Sequence, residues 1–257
     1  MLQGVLVAIA AKLTYVPGSK LHLLSVADFG KLLRYCSLAF LGNVIYFFLY
    51  RIDYWFVEKY CTPAELGNYI QVSKLGHLFF ILPTILASAV FPLTAGGKKE
   101  DVIHMLMLLL RIIFTGYLLC CGLLALTGRW LFPFVFGESF SDMYQPFLLL
   151  IPGILSLSGL FVVTAYFAGR DKVRTNITGS IYALAVILAG DIIFIPRYGI
   201  LAAALVSSVG YIVFQVYIIT EFRKESAVPL GRLFLLRASD IREIKSMAIT
   251  LLKGRGR

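Results

Sequence analysis

The sequence predicts an all-α, polytopic membrane protein, and three observations carry that prediction. Only 15% of its 257 residues are charged, against about 25% in a soluble domain. Hydrophobic residues make up 59%, and the mean hydropathy is +0.84. Finally, the apolar residues fall into runs long enough to cross a hydrocarbon core of about 30 Å, which takes about 20 helical residues.

Six such runs are read from the apolar stretches and the loop signals between them: 34–57, 68–94, 102–127, 146–169, 175–195 and 199–221. Short polar connections join them at 58–67, 95–101, 128–145, 170–174 and 196–198. The apolar start, Met1 to Ala11, is too short to span and has no basic n-region or cleavage site of a signal peptide. It reads as the end of a helix or as an interfacial segment. Residues 1–33 are therefore taken as a helix stub and linker, 34–222 as a six-helix transmembrane lobe, and 223–257 as a basic tail.

The formal net charge of +10 points to nucleic acid or to a membrane surface. The apolar runs decide for the membrane, and no nucleic-acid partner is expected. When alternate loops are placed on opposite sides, 18 of the 24 Lys and Arg fall on one side and three on the other, with three inside spans. Cytoplasmic loops are enriched in Lys and Arg, so the rich side, with the C-terminus, is expected to be cytoplasmic and the location the inner (plasma) membrane.

On the sparse side, Trp130, Phe132, Phe134, Phe136, Phe140 and Tyr144 crowd one connection, as expected of an interfacial aromatic belt. In the tail, Ile241, Ile244, Ala248, Leu251 and Leu252 follow helical spacing, with Arg242, Lys245 and Lys253 elsewhere on the helix. Ser239 suits the N-cap and Gly254 the end. Such a basic amphipathic helix is expected to lie on the anionic inner leaflet, with Arg242, Lys245 and Lys253 meeting membrane lipids.

Ionisable residues inside spans are costly and usually face an interior or a wet cavity. Arg51, Asp53, Lys74, His77, Arg111 and Asp191 qualify. Arg51 and Asp53 are two residues apart, so they point to different faces of one helix. The first four sit at similar depth in the first two spans, so Asp53 or Arg51 is in reach of a partner such as Lys74. Two readings stay open for each. Lys74, Arg111 and Asp191 either snorkel to an interface or line a cavity; His77 either packs or relays a proton; Arg51 and Asp53 either make a structural ion pair or serve a site. The functional reading is a cationic cavity of Arg51, Lys74, His77 and Arg111, with Asp53 holding an arginine or carrying a proton. Such a cavity attracts an anionic headgroup, because guanidinium pairs bidentately with phosphate. Pro83 in the second span and Pro92 near its end each remove a backbone donor and bend the helix, either to shape a cavity or only to improve packing.

Catalytic signatures are missing: there is no GxSxG, HExxH or GxxxxGK[ST] and no Ser/His/Asp arrangement. The four cysteines have no CxxC spacing and the three histidines are far apart. No enzyme activity, cofactor or metal is expected. Asn176-Ile177-Thr178 matches a glycosylation acceptor but falls on the cytoplasmic side.

Several segments together carry a resemblance: Arg51-Ile52-Asp53, Glu65-Leu66-Gly67-Asn68-Tyr69, Leu82-Pro83, Phe91-Pro92, the stretch from Phe134 to Phe140, Ile151-Pro152-Gly153, and the stretch from Ile195 to Ala204. In this order and spacing, from about Arg34 to Arg223, the chain resembles the C-terminal half of polysaccharide-biosynthesis flippases, the O-antigen and capsule repeat-unit translocases. They share a superfamily with multidrug exporters and lipid II flippases. The resemblance implies one six-helix lobe of a two-lobed body around a central cavity. It implies movement of an undecaprenyl-pyrophosphate-linked oligosaccharide between leaflets for lipopolysaccharide or capsule assembly, with Arg51, Asp53 and Lys74 as cavity charges. Alternating access needs two bodies, so an N-terminal lobe on another chain, or a second copy, is an expected partner. A cation-coupled multidrug exporter, a membrane enzyme of polysaccharide assembly and a non-transporting fragment are the competing readings.

The orientation is testable in a cysteine-free background. Ser139→Cys is expected to react with an impermeant maleimide on intact cells, and Asp171→Cys only after lysis. The reverse pattern overturns the assignment of sides.

Overall fold

In a computed structural model of the chain, residues 26–96, 99–226, Leu236 and Asp240 are described. The described residues are almost entirely helical, with no strand among them. The chain divides into two compact units, Met1–Leu38 and Ala39–Arg257. Helix α1 is Val26–Tyr60, α2 Pro63–Leu78, α3 Ile81–Gly96, α4 Lys99–Phe136, α5 Tyr144–Gly169 and α6 Val173–Ser226, with a 3₁₀ segment at Glu138–Met143 between α4 and α5. Five helical stretches are long and apolar enough to cross a membrane, α2 and α3 counting as one.

Helix α2 starts earlier than the expected span. Thr62 caps it with its side chain on the Glu65 N–H, and the Glu65 carboxylate accepts from the Thr62 N–H at 2.8 Å. Pro63 follows at the first helical position, where its missing N–H has no helical partner to lose. The Thr-Pro-Ala-Glu run therefore begins a helix inside what the sequence reading left as a loop.

The α2–α3 junction shows how the chain handles proline. Pro83 has no N–H for the Phe79 carbonyl four residues back, and the helix breaks at Phe79–Phe80. The Tyr117 hydroxyl of α4 donates to that Phe79 carbonyl instead.

Helix α4 continues to Phe136, through the first half of the expected aromatic loop. Phe132 turns inward at 2% exposure and meets Phe147 edge-on at 5.3 Å, while Trp130 and Phe134 stay exposed. The first half of the aromatic connection is thus one or two more amphipathic turns of helix.

Helix α5 is the hub: 61% of its most apolar window is buried, against 22–39% for the other four stretches. It packs on α6, α3 and α4. At Gly153, a Cβ would lie 2.8 Å from the Ser208 Cα. The Ser208 hydroxyl uses this closeness, accepting from the Gly153 N–H at 3.2 Å and donating to the Leu149 carbonyl at 2.6 Å. It bridges the two ends of one helical i to i−4 pair.

Helix α6 has 54 residues and is broken at one place, Gly199, where φ is 57° and ψ is −140°. Only glycine adopts that backbone readily. The chain reverses there. A Cβ on Gly190 would meet Val206 at 2.6 Å, one on Gly210 would meet Ile187 at 2.3 Å, and the Tyr182 and Tyr217 rings lie 5.5 Å apart. The two arms of α6 therefore lie antiparallel, with small residues admitting the neighbour's side chains.

Within the second unit, α1 joins this core through a tyrosine seam at helical spacing. Tyr46 meets Phe214 at 5.8 Å, Tyr50 meets Tyr211 at 5.7 Å and Tyr54 meets Tyr69 at 5.9 Å. The descending partners Phe214 and Tyr211 show that α1 runs antiparallel to the second arm of α6.

Substituting Gly153→Ala should cost about 1–3 kcal/mol, because the contacting atom is backbone and cannot step aside. Gly67→Ala, with open space around it, should be neutral or stabilising by up to about 1 kcal/mol. Thermal unfolding of both variants in detergent checks this; equal midpoints would show that the α5–α6 approach is not tight.

Candidate functional site

Two sites share helix α1, one on each side of Ile52. On one face, Arg51 is exposed at an open pocket of about 540 Å³ between α1 and the α2–α3 junction. Its polar lining is Asn43, Tyr50, Arg51, His77 and Thr84, set among aromatic and aliphatic side chains. Arg51 lies 5.3 Å from the Tyr54 ring centre, which holds the guanidinium by cation–π attraction. His77 packs edge-on against Tyr50 at 5.6 Å and feels the charge of Arg51. Lys74 is exposed, one turn before His77 on the same face of α2. Of the expected cavity residues, Arg51 and His77 line this opening and Lys74 lies one turn from His77.

On the other face, Asp53 is buried at 2% exposure. The Tyr69 hydroxyl donates to its Oδ2, Ser207 Oγ donates to the same oxygen at 3.2 Å, and the Tyr54 N–H donates to Oδ1 at 2.9 Å. Asp53 therefore does not meet Lys74 or Arg51; hydroxyls from α2 and α6 hold it. Asp191, on the first arm of α6, is fully buried. Neither of its carboxyl oxygens has a hydrogen-bond partner among the described residues. So Asp191 does not reach an interface; it is enclosed by the helices.

Arg111 is elsewhere. It is buried on α4 and forms an ion pair at 2.6 Å with Asp240 of the tail, itself buried. The Leu236 N–H donates to Thr115 at 3.3 Å, one turn away on α4. This pair fastens the tail to α4, away from the Arg51 opening. Arg242, Lys245 and Lys253 lie outside the described residues, as do Ser239 and Gly254. Asn176 of the glycosylation-like triplet is buried and donates to the Thr164 carbonyl at 2.8 Å.

Sequence reasoning missed Tyr69, Ser207 and Asp240 as partners. A serine in an apolar helix carries no signal of its own, because its hydroxyl also bonds the backbone of its own helix. The available clue was the Ser207-Ser208 pair after the aliphatic run from Ile200 to Val206: adjacent hydroxyls lie on different faces, and here they meet Asp53 and the Leu149 carbonyl.

Neither a family model nor a curated relative matches the chain. Among the described residues, no group of three or more His, Cys, Asp and Glu is placed to hold a metal ion. What the geometry offers is a half-open pocket at Arg51 and, across one helix, two buried carboxyls, of which Asp53 is held by hydroxyls and Asp191 by no described donor.

The two carboxyls should respond oppositely to removal. Asp53→Leu leaves the Tyr69 and Ser207 hydroxyls without their acceptor and should cost about 1–3 kcal/mol. Asp191→Leu removes a buried group that bonds to nothing described here and should be neutral or stabilising. Melting temperatures of the two purified variants decide; a strong loss from Asp191→Leu would mean that Asp191 has a structural partner.

Proposed function

We propose that the chain is one lobe of a translocase that carries a lipid-linked oligosaccharide, bearing an undecaprenyl-pyrophosphate headgroup, across the inner membrane for surface polysaccharide assembly. The lobe acts with a second lobe, on another chain or from a second copy, because a site that opens alternately to two sides needs two bodies. Its six crossings are α1, the kinked α2–α3, α4, α5 and the two arms of α6, and the Lys- and Arg-rich connections face the cytoplasm.

One observation carries the reading: Arg51 opens onto a pocket with His77, while Asp53, two residues on, is locked into the core. Arginine on an open intramembrane pocket suits a pyrophosphate, which it grips in bidentate fashion. Lys74 adds positive charge beside it. Asp53 and Asp191 supply what a coupled carrier needs besides a cargo contact, a dry acidic pair able to take up a proton or a cation.

A specific observation also favours the cation-coupled multidrug exporter: both acidic residues of the spans, Asp53 and Asp191, are buried among the helices. The cationic pocket still suits an anionic cargo better than a cationic drug.

Arg51→Ala in cells of the native strain should abolish surface polysaccharide while the protein still reaches the membrane, and Arg51→Lys should retain part of it. Normal polysaccharide from both Arg51→Ala and His77→Ala would sink the cavity assignment. Unchanged polysaccharide combined with raised drug susceptibility would transfer the function to the exporter reading.

A further inference from the structure

A second pair of cavities lies away from the Arg51 pocket and shares no lining residue with it. The first, of about 680 Å³, is an apolar groove along the two arms of α6, from Val186 to Val209, closed on one side by Leu149 of α5. The second, of about 790 Å³, is polar and lies against the 3₁₀ segment; Arg129, Glu138, Asp142 and Gln145 are on its wall. Tyr198 and Leu201, either side of the Gly199 reversal, line both cavities. Groove and polar pocket therefore adjoin at the reversal.

Their depth is set by their neighbours. Trp130 is 72% exposed and Phe134 87% exposed on the last turns of α4, beside Arg129. Exposed aromatics of this kind favour the headgroup level, so the polar pocket sits at the interface. From Tyr198 the groove follows α6 back to Val186, twelve residues or about 18 Å of helix. That matches about half of a hydrocarbon core some 30 Å thick. The groove thus holds a chain about one leaflet long, and a polyprenyl chain overfills it.

The charge of the pocket selects the headgroup. Arg129 is the one cation in its lining, against the carboxylates of Glu65, Glu138 and Asp142. Glu65 is already occupied by its cap on Thr62, whereas Glu138 and Asp142 are exposed. A headgroup carrying only negative charge meets an excess of like charge here. One with a phosphate and a nearby ammonium satisfies both signs, phosphate on Arg129 and ammonium on Glu138 and Asp142. We infer that this adjoining groove and pocket form a binding site for an aminophospholipid, with one acyl chain along α6 and the zwitterionic headgroup against the 3₁₀ segment.

The test uses the full chain purified from vesicles of phosphatidylethanolamine, phosphatidylglycerol and phosphatidylcholine in equal parts, with the retained lipid identified by mass spectrometry. Phosphatidylethanolamine should be retained at about five times the amount of either other lipid, the ratio that a net contact of about 1 kcal/mol produces. The double substitution Glu138→Gln with Asp142→Asn, on exposed positions that leave the fold intact, should return it to its share. Ala202→Phe, which fills the groove, should do the same without changing the headgroup contacts. Equal retention of the three lipids overturns the site, as does a preference for phosphatidylglycerol or an enrichment that survives the double substitution. A chain that runs as a dimer until Ala202→Phe separates it also overturns the site, because the groove is then an interface between copies. None of these outcomes bears on the Arg51 pocket, whose readout is polysaccharide.

Discussion

In hydrocarbon an unsatisfied backbone carbonyl or N–H costs several kcal/mol, since no water reaches it. This chain nevertheless places Pro83, Pro92, Pro133, Pro152 and Pro196 inside helices or at their first turns, so each carbonyl four residues earlier loses its usual donor. At Phe79 the replacement is visible: the Tyr117 hydroxyl of the neighbouring helix takes the place of the missing N–H. At Pro152 the helix is also tied to its neighbour, through the Ser208 hydroxyl between Leu149 and Gly153. At Phe79 the helix broken before a proline thus takes its missing hydrogen bond from the helix beside it, and at both crossings a hydroxyl joins neighbouring helices.

Apolar contact alone gives little direction between helices in a membrane, because lipid tails are as apolar as leucine. Shape must supply the specificity. The two arms of α6 close on Gly190 and Gly210, and α5 closes on the second arm at Gly153. Helix α1 cannot approach so closely, and its tyrosines bridge the wider gap. Tyr46, Tyr50 and Tyr54 reach Phe214, Tyr211 and Tyr69 across ring distances of 5.7–5.9 Å. A seam of large rings leaves room beside it, and the open pocket at Arg51 is that room.

How much of this was legible in the sequence depended on the kind of signal. Long apolar runs fixed which stretches are helices, because length against bilayer thickness is a coarse and robust constraint. Boundaries were legible only where a cap announced them, as the Thr62–Glu65 box does for α2. The stretch from Trp130 to Phe136 was misread as a loop because its aromatics suit an interface equally well in a helix. The opposed faces of Arg51 and Asp53 followed from helical spacing alone. Their partners did not, since Ser207 is 154 residues from Asp53 and Asp240 is 129 from Arg111. Nothing in local pattern encodes a contact over that distance.

The buried ion pair on α4 and the buried carboxyl on α6 are different in kind, and the difference bears on what each is for. Arg111 has its counter-charge at 2.6 Å, so the pair reads as a fastening for the tail. Asp53 has three donors and is similarly fixed. Asp191 has neither counter-charge nor donor among the described residues, though it lies eight residues, or about 12 Å, from the Gly199 reversal. An aliphatic residue would suit that position better if folding were the only demand. On the proposed reading, this buried carboxyl is where a proton or cation arrives and leaves as the lobe works. A fold that retains such a group gives up stability at one point of the α6 hairpin, and the tight glycine contacts on either side of it, at Gly190 and Gly210, are where that hairpin is otherwise held.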